Sequence, residues 1–127
     1  MSSNWYKMAQ SEIRLWLDDV RDPQDPQIQE KFGAEGNEIW VKTMPEAISY
    51  LNQGNVSFIS FDNDLGEGQE EGYHLADWIE EKAFDGTLSP LGWNVHSRNP
   101  VGSSKIVNAM TNADKFWNEN EMGELQR

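Results

Sequence analysis

The sequence contains no cysteine. That excludes a disulfide framework and any Cys-ligated zinc or iron–sulfur site, so a metal would have to rest on oxygen or imidazole ligands. No apolar run approaches the ~18 residues that a bilayer-spanning helix needs. The opening MSSNWYKMAQ lacks the apolar core of a secretion signal. No membrane association is expected, and the expected setting is the cytoplasm. Positive charge is also scarce: ten Lys and Arg stand against 22 Asp and Glu, a net charge of −12. Such a surface repels polyanions, and extended duplex nucleic acid is not an expected partner. A single phosphate, a nucleotide or an RNA end fits that charge only where a cation or a cluster of backbone N–H groups offsets it.

What is present is enough for one packed domain. The chain has 127 residues, 37% of them hydrophobic, with six Trp, a size and composition that bury a core without needing a second domain. The whole chain, 1–127, reads as that single domain, with a core over about 13–117 and looser polar ends at 1–11 and 118–127.

Short apolar runs alternate with helical patterns along it. Ile13 to Leu17 reads as a strand that stops at Asp18-Asp19, and Ile39 to Lys42 as a second. Between them two Asp-Pro steps, Gly33 and Gly36 leave room for about one turn of helix near Ile28 to Phe32. Thr43-Met44-Pro45-Glu46 has capping-box spacing and opens a short helix closed near Gly54. Val56 to Phe61 is a third strand running into Asp62-Asn63-Asp64-Leu65-Gly66, followed by a helix from about Glu70 to Phe84. Gly92 to Val95 is a fourth strand ending at His96-Ser97. A last helix opens after Arg98-Asn99-Pro100, with Phe116 and Trp117 folding back on the core. This alternation predicts an α/β fold, an open parallel sheet of about four strands with flanking helices. In such a sheet the binding crevice lies at the C-terminal strand ends, where the chemically interesting residues fall.

Asp18-Asp19 alone is an ordinary acidic turn. Asp62 and Asp64 at a neighbouring strand end change the reading, because four carboxylates together repel unless a cation neutralises them. Their hard oxygen ligands suit Mg²⁺ or Mn²⁺, and also Ca²⁺. His96-Ser97-Arg98-Asn99 adds an imidazole, a hydroxyl, a guanidinium and an amide. Gly102 and Ser103 follow in the first turn of a helix, where free N–H groups are able to hold phosphate oxygens. His74 lies away from the Leu75, Ile79, Ala83 stripe and reads as solvated or capping. Arg14 and Lys105 read as ordinary surface cations, and the Trp residues as core or partial core.

Together LDDVRDP, FDNDLG and VHSRNPVG resemble the cyclic-phosphate processing receiver domains, a receiver-derived family of mostly small bacterial or phage proteins. The resemblance spans about Arg14 to Ala113. It implies a receiver-like, flavodoxin-like sheet, with Asp18, Asp19 and Asp62 matching the receiver acidic site and His96, Ser97 and Asn99 matching the family's own signature. The family often has His where Asn63 stands here. Unlike signalling receivers, no fifth strand bearing a Lys follows the last helix.

The expectation is therefore a metal-dependent phosphoesterase acting on cyclic phosphates of nucleotides or RNA ends. Asp18, Asp19 and Asp62, with Asp64 as an inner or outer ligand, would hold Mg²⁺ or Mn²⁺. His96 would be general acid or base, Asp62 an alternative nucleophile, and Ser97, Asn99, Gly102 and Ser103 the phosphate contacts. Its rivals are a non-catalytic nucleotide-, phosphate- or protein-binding module, and a signalling receiver phosphorylated on Asp62.

Overall fold

Four runs rich in β-branched and aromatic residues pair in parallel in the computed structural model, which describes residues 13–125. They are β1 (Ile13–Leu17), β2 (Ile39–Val41), β3 (Val56–Phe61) and β4 (Gly92–Val95), in the spatial order β2-β1-β3-β4. The helices between and after them are α1 (Pro26–Phe32), α2 (Met44–Leu51), α3 (Gly72–Asp85) and α4 (Pro100–Leu125). This is the open parallel α/β sheet that the strand–helix alternation predicts, in the receiver-like form that the resemblance implies, and no fifth strand occurs among the described residues. No described helix is long and apolar enough to cross a membrane.

Local chemistry sets most boundaries. The Asp25 side chain accepts from the Gln27 N–H to start α1, and Gly33 stops that helix in the left-handed conformation at φ 84°. α1 therefore exceeds the single turn expected. Thr43 caps α2 through the Glu46 N–H, as the sequence spacing predicts. His74 Nδ1 accepts from the Glu71 N–H at 3.1 Å, which makes His74 a capping residue of α3. Beyond Pro100 no proline interrupts α4, so the segment read as tail from residue 118 is helical as far as Leu125. Asn120 Nδ2 bonds the Ala83 carbonyl there, at 3.4 Å.

The period-two alternation of the strands divides the side chains between two faces. Leu15, Leu17, Ile59 and Phe61 join Leu51, Leu75, Ile79, Ile106 and Met110 from α2, α3 and α4 in one apolar core. Trp117 belongs to it as well, its indole N–H donating to the Leu88 carbonyl at 2.8 Å. The opposite face carries Trp16 and Ser60, then, one step beyond the strands, Asp18 and Asp62.

Two helices close tightly on the loop after β3, with Asn63 as the fastening point. The fully buried Asn63 accepts from the Tyr73 N–H through Oδ1 (3.1 Å) and donates to Glu71 through Nδ2 (3.1 Å). Its carbonyl accepts from the Gly72 N–H at 2.7 Å. A methyl group added at Gly102 would fall inside the Asn63 side chain, and one at Gly72 would overlap the Asp62 carbonyl. Glycine is needed at both positions for close approach. Gly102→Ala should therefore lower unfolding stability by about 1–3 kcal/mol, the usual cost of forcing a methyl group into a filled space. Thermal or urea denaturation checks this; an unchanged midpoint would mean that α4 stands off Asn63 at no cost.

Candidate metal and phosphate site

The sheet hydrogen bonding continues one residue past the strand ends. Asp18 N–H donates to the Val41 carbonyl (3.0 Å), Asp62 N–H to Leu17 (2.8 Å) and His96 N–H to Phe61 (2.9 Å). Asp18, Asp62 and His96 thus stand in line on three adjacent strands. The chain leaves β1 toward β2 on one side and later returns to β3 on the other, so β1 and β3 flank the topological switch point where open α/β sheets bind ligands. There the carboxylates of Asp18, Asp19 and Asp62 each place an oxygen within 4.8 Å of the others.

His96 lies beneath this trio. Its ring reaches across β3, over the small side chain of Ser60, and stacks flat on Trp16 with centroids 3.8 Å apart and planes 5° from parallel. Nδ1 pairs with Ser60 Oγ at 2.8 Å and Nε2 with Asp18 Oδ2 at 3.0 Å. The side chain is 1% exposed. Both ring nitrogens are engaged, so a proton passes between His96 and the crevice only by way of Asp18. Because the ionised carboxylate only accepts, Nε2 carries the hydrogen.

Asp18 is fully buried and densely hydrogen-bonded. Burial by itself would raise its pKa. The His96 ring, the Val20 and Arg21 backbone N–H groups and the Arg21 guanidinium outweigh burial and hold the carboxyl below its ordinary value. Asp62 goes the other way. Burial and the neighbouring Asp18 charge push it up to about 6, against the downward pull of the Asn63 N–H, His96 and Arg21. An all-oxygen trio in which the charge of one member is opposed by burial and by its neighbour fits a hard divalent cation, which would offset that repulsion.

The other sequence-selected residues gather around this trio. Asp64 is exposed and accepts from Asn99 Nδ2 at 3.2 and 3.4 Å, outside the three clustered carboxylates. Asn99 Oδ1 accepts from the Gly102 N–H (3.0 Å), and the Asn99 carbonyl from the Ser103 N–H (2.9 Å). Those two N–H groups of α4, expected to meet phosphate, are therefore already partnered within the chain. Ser103 Oγ donates to the Ser97 carbonyl at 3.4 Å. Ser97 Oγ accepts from the Asn99 N–H at 3.0 Å and keeps its own proton to give. His74, Arg14 and Lys105 stay out of the cluster: Arg14 pairs with Glu35, and Lys105 lies over Tyr73.

Three residues important to the geometry are missed by sequence reasoning. Arg21 Nη1 lies 3.1 Å from Asp18 Oδ2 and 3.5 Å from Asp62 Oδ2. Its spacing, three residues after Asp18, was the available signal. Ser60 and Trp16, each two residues before a site aspartate and therefore on the same face, form the floor under His96.

The opposed shifts of the two buried aspartates predict a pH signature without added cation. A carboxyl raised from 3.8 to about 6 in the folded state keeps a proton that the unfolded chain releases. Its contribution to stability is therefore present at low pH and lost as pH rises through that interval. Asp18, held low, contributes in the opposite sense: its stabilisation is present above its ordinary value and lost as acid protonates it. In chelator, Asp62→Asn should exceed the wild type in stability near neutral pH by on the order of 2 kcal/mol and converge with it near pH 4. Denaturation midpoints across that range check this; parallel curves for the two proteins would remove the raised Asp62.

Comparison with known proteins locates the same segments. No curated protein and no solved structure matches the chain. The family model for the cyclic-phosphate processing receiver domain matches residues 13–112, covering all four strands, the acidic trio and the His96–Asn99 segment. By that match and by its fold, the chain belongs to the cyclic-phosphate processing receiver domain family.

Proposed function

We propose that this domain is a divalent-metal-dependent phosphoesterase acting on cyclic phosphates carried by nucleotides or RNA ends. The observation that carries the reading is the convergence of Asp18, Asp19 and Asp62 at the switch point, in a member of a family named for cyclic-phosphate processing. The three aspartates are the groups that would hold Mg²⁺ or Mn²⁺, which supplies a polarised phosphoryl group and an acidified water. Asp64 takes an outer place through Asn99.

The chain's own residues divide the remaining work. His96 orients Asp18 and keeps it ionised, so it is a positioning residue in this reading, and the general acid–base duty expected of it runs through that carboxylate. Ser97 Oγ, which accepts from the Asn99 N–H, donates a hydrogen bond to a phosphoryl oxygen. Asn99, Gly102 and Ser103 hold Ser97 and Asp64 in place. In the reaction, the oxygen of water bonds to phosphorus and one ring P–O bond opens to a hydroxyl, leaving a phosphomonoester.

One observation favours a second reading, a non-catalytic phosphate-binding module: neither ring nitrogen of His96 is free to face a substrate. A screen of cyclic-phosphate nucleotides and cyclic-phosphate-ended RNA, with and without Mg²⁺ or Mn²⁺, separates the two. Metal-dependent appearance of the phosphomonoester supports the enzyme; stoichiometric binding without turnover supports the module.

A single variant tests the place given to His96. His96→Gln should weaken Mg²⁺ or Mn²⁺ binding about 10- to 100-fold, the usual effect of losing a group that holds a metal ligand, with activity falling in step. Titration calorimetry and single-turnover rates on the same protein report both. Intact metal affinity with a rate loss of about 10²- to 10⁴-fold would instead make His96 a direct proton-transfer residue.

A further inference from the structure

Asp18 has no lone pair to spare. Oδ1 accepts from the Val20 N–H (3.0 Å) and the Arg21 N–H (2.9 Å), while Oδ2 meets His96 Nε2 (3.0 Å) and Arg21 Nη1 (3.1 Å). A carboxylate offers about four such positions, so a cation gains Asp18 only by displacing a donor. Two of the donors belong to the backbone of the turn. A third is an imidazole pinned between Trp16 and Ser60. The fourth, the Arg21 guanidinium, is partly exposed, sits on a flexible stem and also approaches Asp62 Oδ2. It is a positive group placed between two of the carboxylates that a divalent ion would join.

The remaining surroundings of that guanidinium point outward. Its central carbon lies 4.3 Å from the centroid of the Phe32 ring, at the end of α1. The exposed Arg98, next in sequence to Ser97, lies over the same ring at 4.8 Å. One aromatic side chain thus holds two planar cations at the lip of the crevice, one bound to carboxylates and the other beside Ser97.

We propose that Arg21 is a resident counter-ion which the divalent cation displaces from Asp18 and Asp62, and that the released guanidinium, kept on the Phe32 ring, joins Arg98 in binding phosphoryl oxygens. The inference rests on the metal-dependent reading above and names how its substrate is recognised. Guanidinium groups pair with phosphate through two parallel N–H donors. Since phosphate then engages the group that otherwise competes with the metal, each ligand raises the affinity for the other, by the same factor in both directions. A chain of charge −12 would in this way admit a phosphate only after the cation has entered.

The test is calorimetric titration of the full chain with Mg²⁺ and with inorganic phosphate, each with and without the other, alongside melting temperatures. Wild type should bind phosphate more tightly with Mg²⁺ than in chelator. Arg21→Gln should bind Mg²⁺ about three- to tenfold more tightly, because the competing ion pair is gone. The same variant should bind phosphate about tenfold more weakly. Arg98→Gln should weaken phosphate alone and leave Mg²⁺ affinity unchanged. Arg21→Lys keeps the competing charge without the planar fork, so it should retain wild-type Mg²⁺ affinity and lose phosphate affinity; it decides the matter if Arg21→Gln does not fold. Wild-type Mg²⁺ binding with Arg21→Gln unchanged or weaker overturns this proposal alone, as does phosphate affinity indifferent to Mg²⁺. Absence of Mg²⁺ binding by the wild type overturns the metal-dependent reading and this proposal together.

Discussion

The hydrogen bond between His96 and Asp18 joins the last strand of the sheet to the first, and much of the site depends on it. A carboxylate out of contact with water is destabilised strongly unless donors surround it. Asp18 receives two from its own turn and the others from His96 and Arg21. His96 supplies its donor only because Ser60 is small enough to let the ring cross β3 and because Trp16 offers a flat surface beyond it. A dipole, a stacking contact and a small side chain therefore act together to keep one aspartate ionised. The adjacent Asp62 then finds its own ionisation opposed by that charge.

Much of the architecture is legible in the residues. Val56 to Phe61 announces a buried strand, Thr43 with Glu46 announces a helix start, and the acidic residues follow strand-like runs, which places them at one edge of a parallel sheet. The acidic trio follows from that placement. Less legible is anything that depends on direction within the crevice. Ser97, Asn99, Gly102 and Ser103 have the composition of a phosphate cradle, yet Asn99 turns inward to cap α4 and to meet Asp64. No periodicity reveals whether a helix start spends its N–H groups on its own cap or on a ligand.

Arg21 was hidden for a related reason. Single basic residues on an acidic chain are usually surface groups, and Lys105 conforms to that expectation, whereas Arg14 is half-buried over the Phe58 ring and paired with Glu35. What distinguishes Arg21 is a tertiary fact, the arrival of Asp62 from β3 beside Asp18. Asn63 shows the converse. The family often carries His at this position, and here the side chain is occupied in joining α3 to the β3 loop beneath Gly102, a packing duty for which an amide with both a donor and an acceptor is suited.

The separation of the site residues along the chain also bears on how the domain folds. Asp18 and His96 are 78 positions apart, and β4, which carries His96 into place, pairs among the described residues with β3 alone. Closing such a distance is entropically costly and comes late unless other contacts prepare it. Before β4 docks, Asp18 lacks one of its donors and Trp16 lacks the ring that lies on it. Completion of the sheet therefore also completes the donor set around Asp18, so a partly assembled chain lacks the finished acidic cluster.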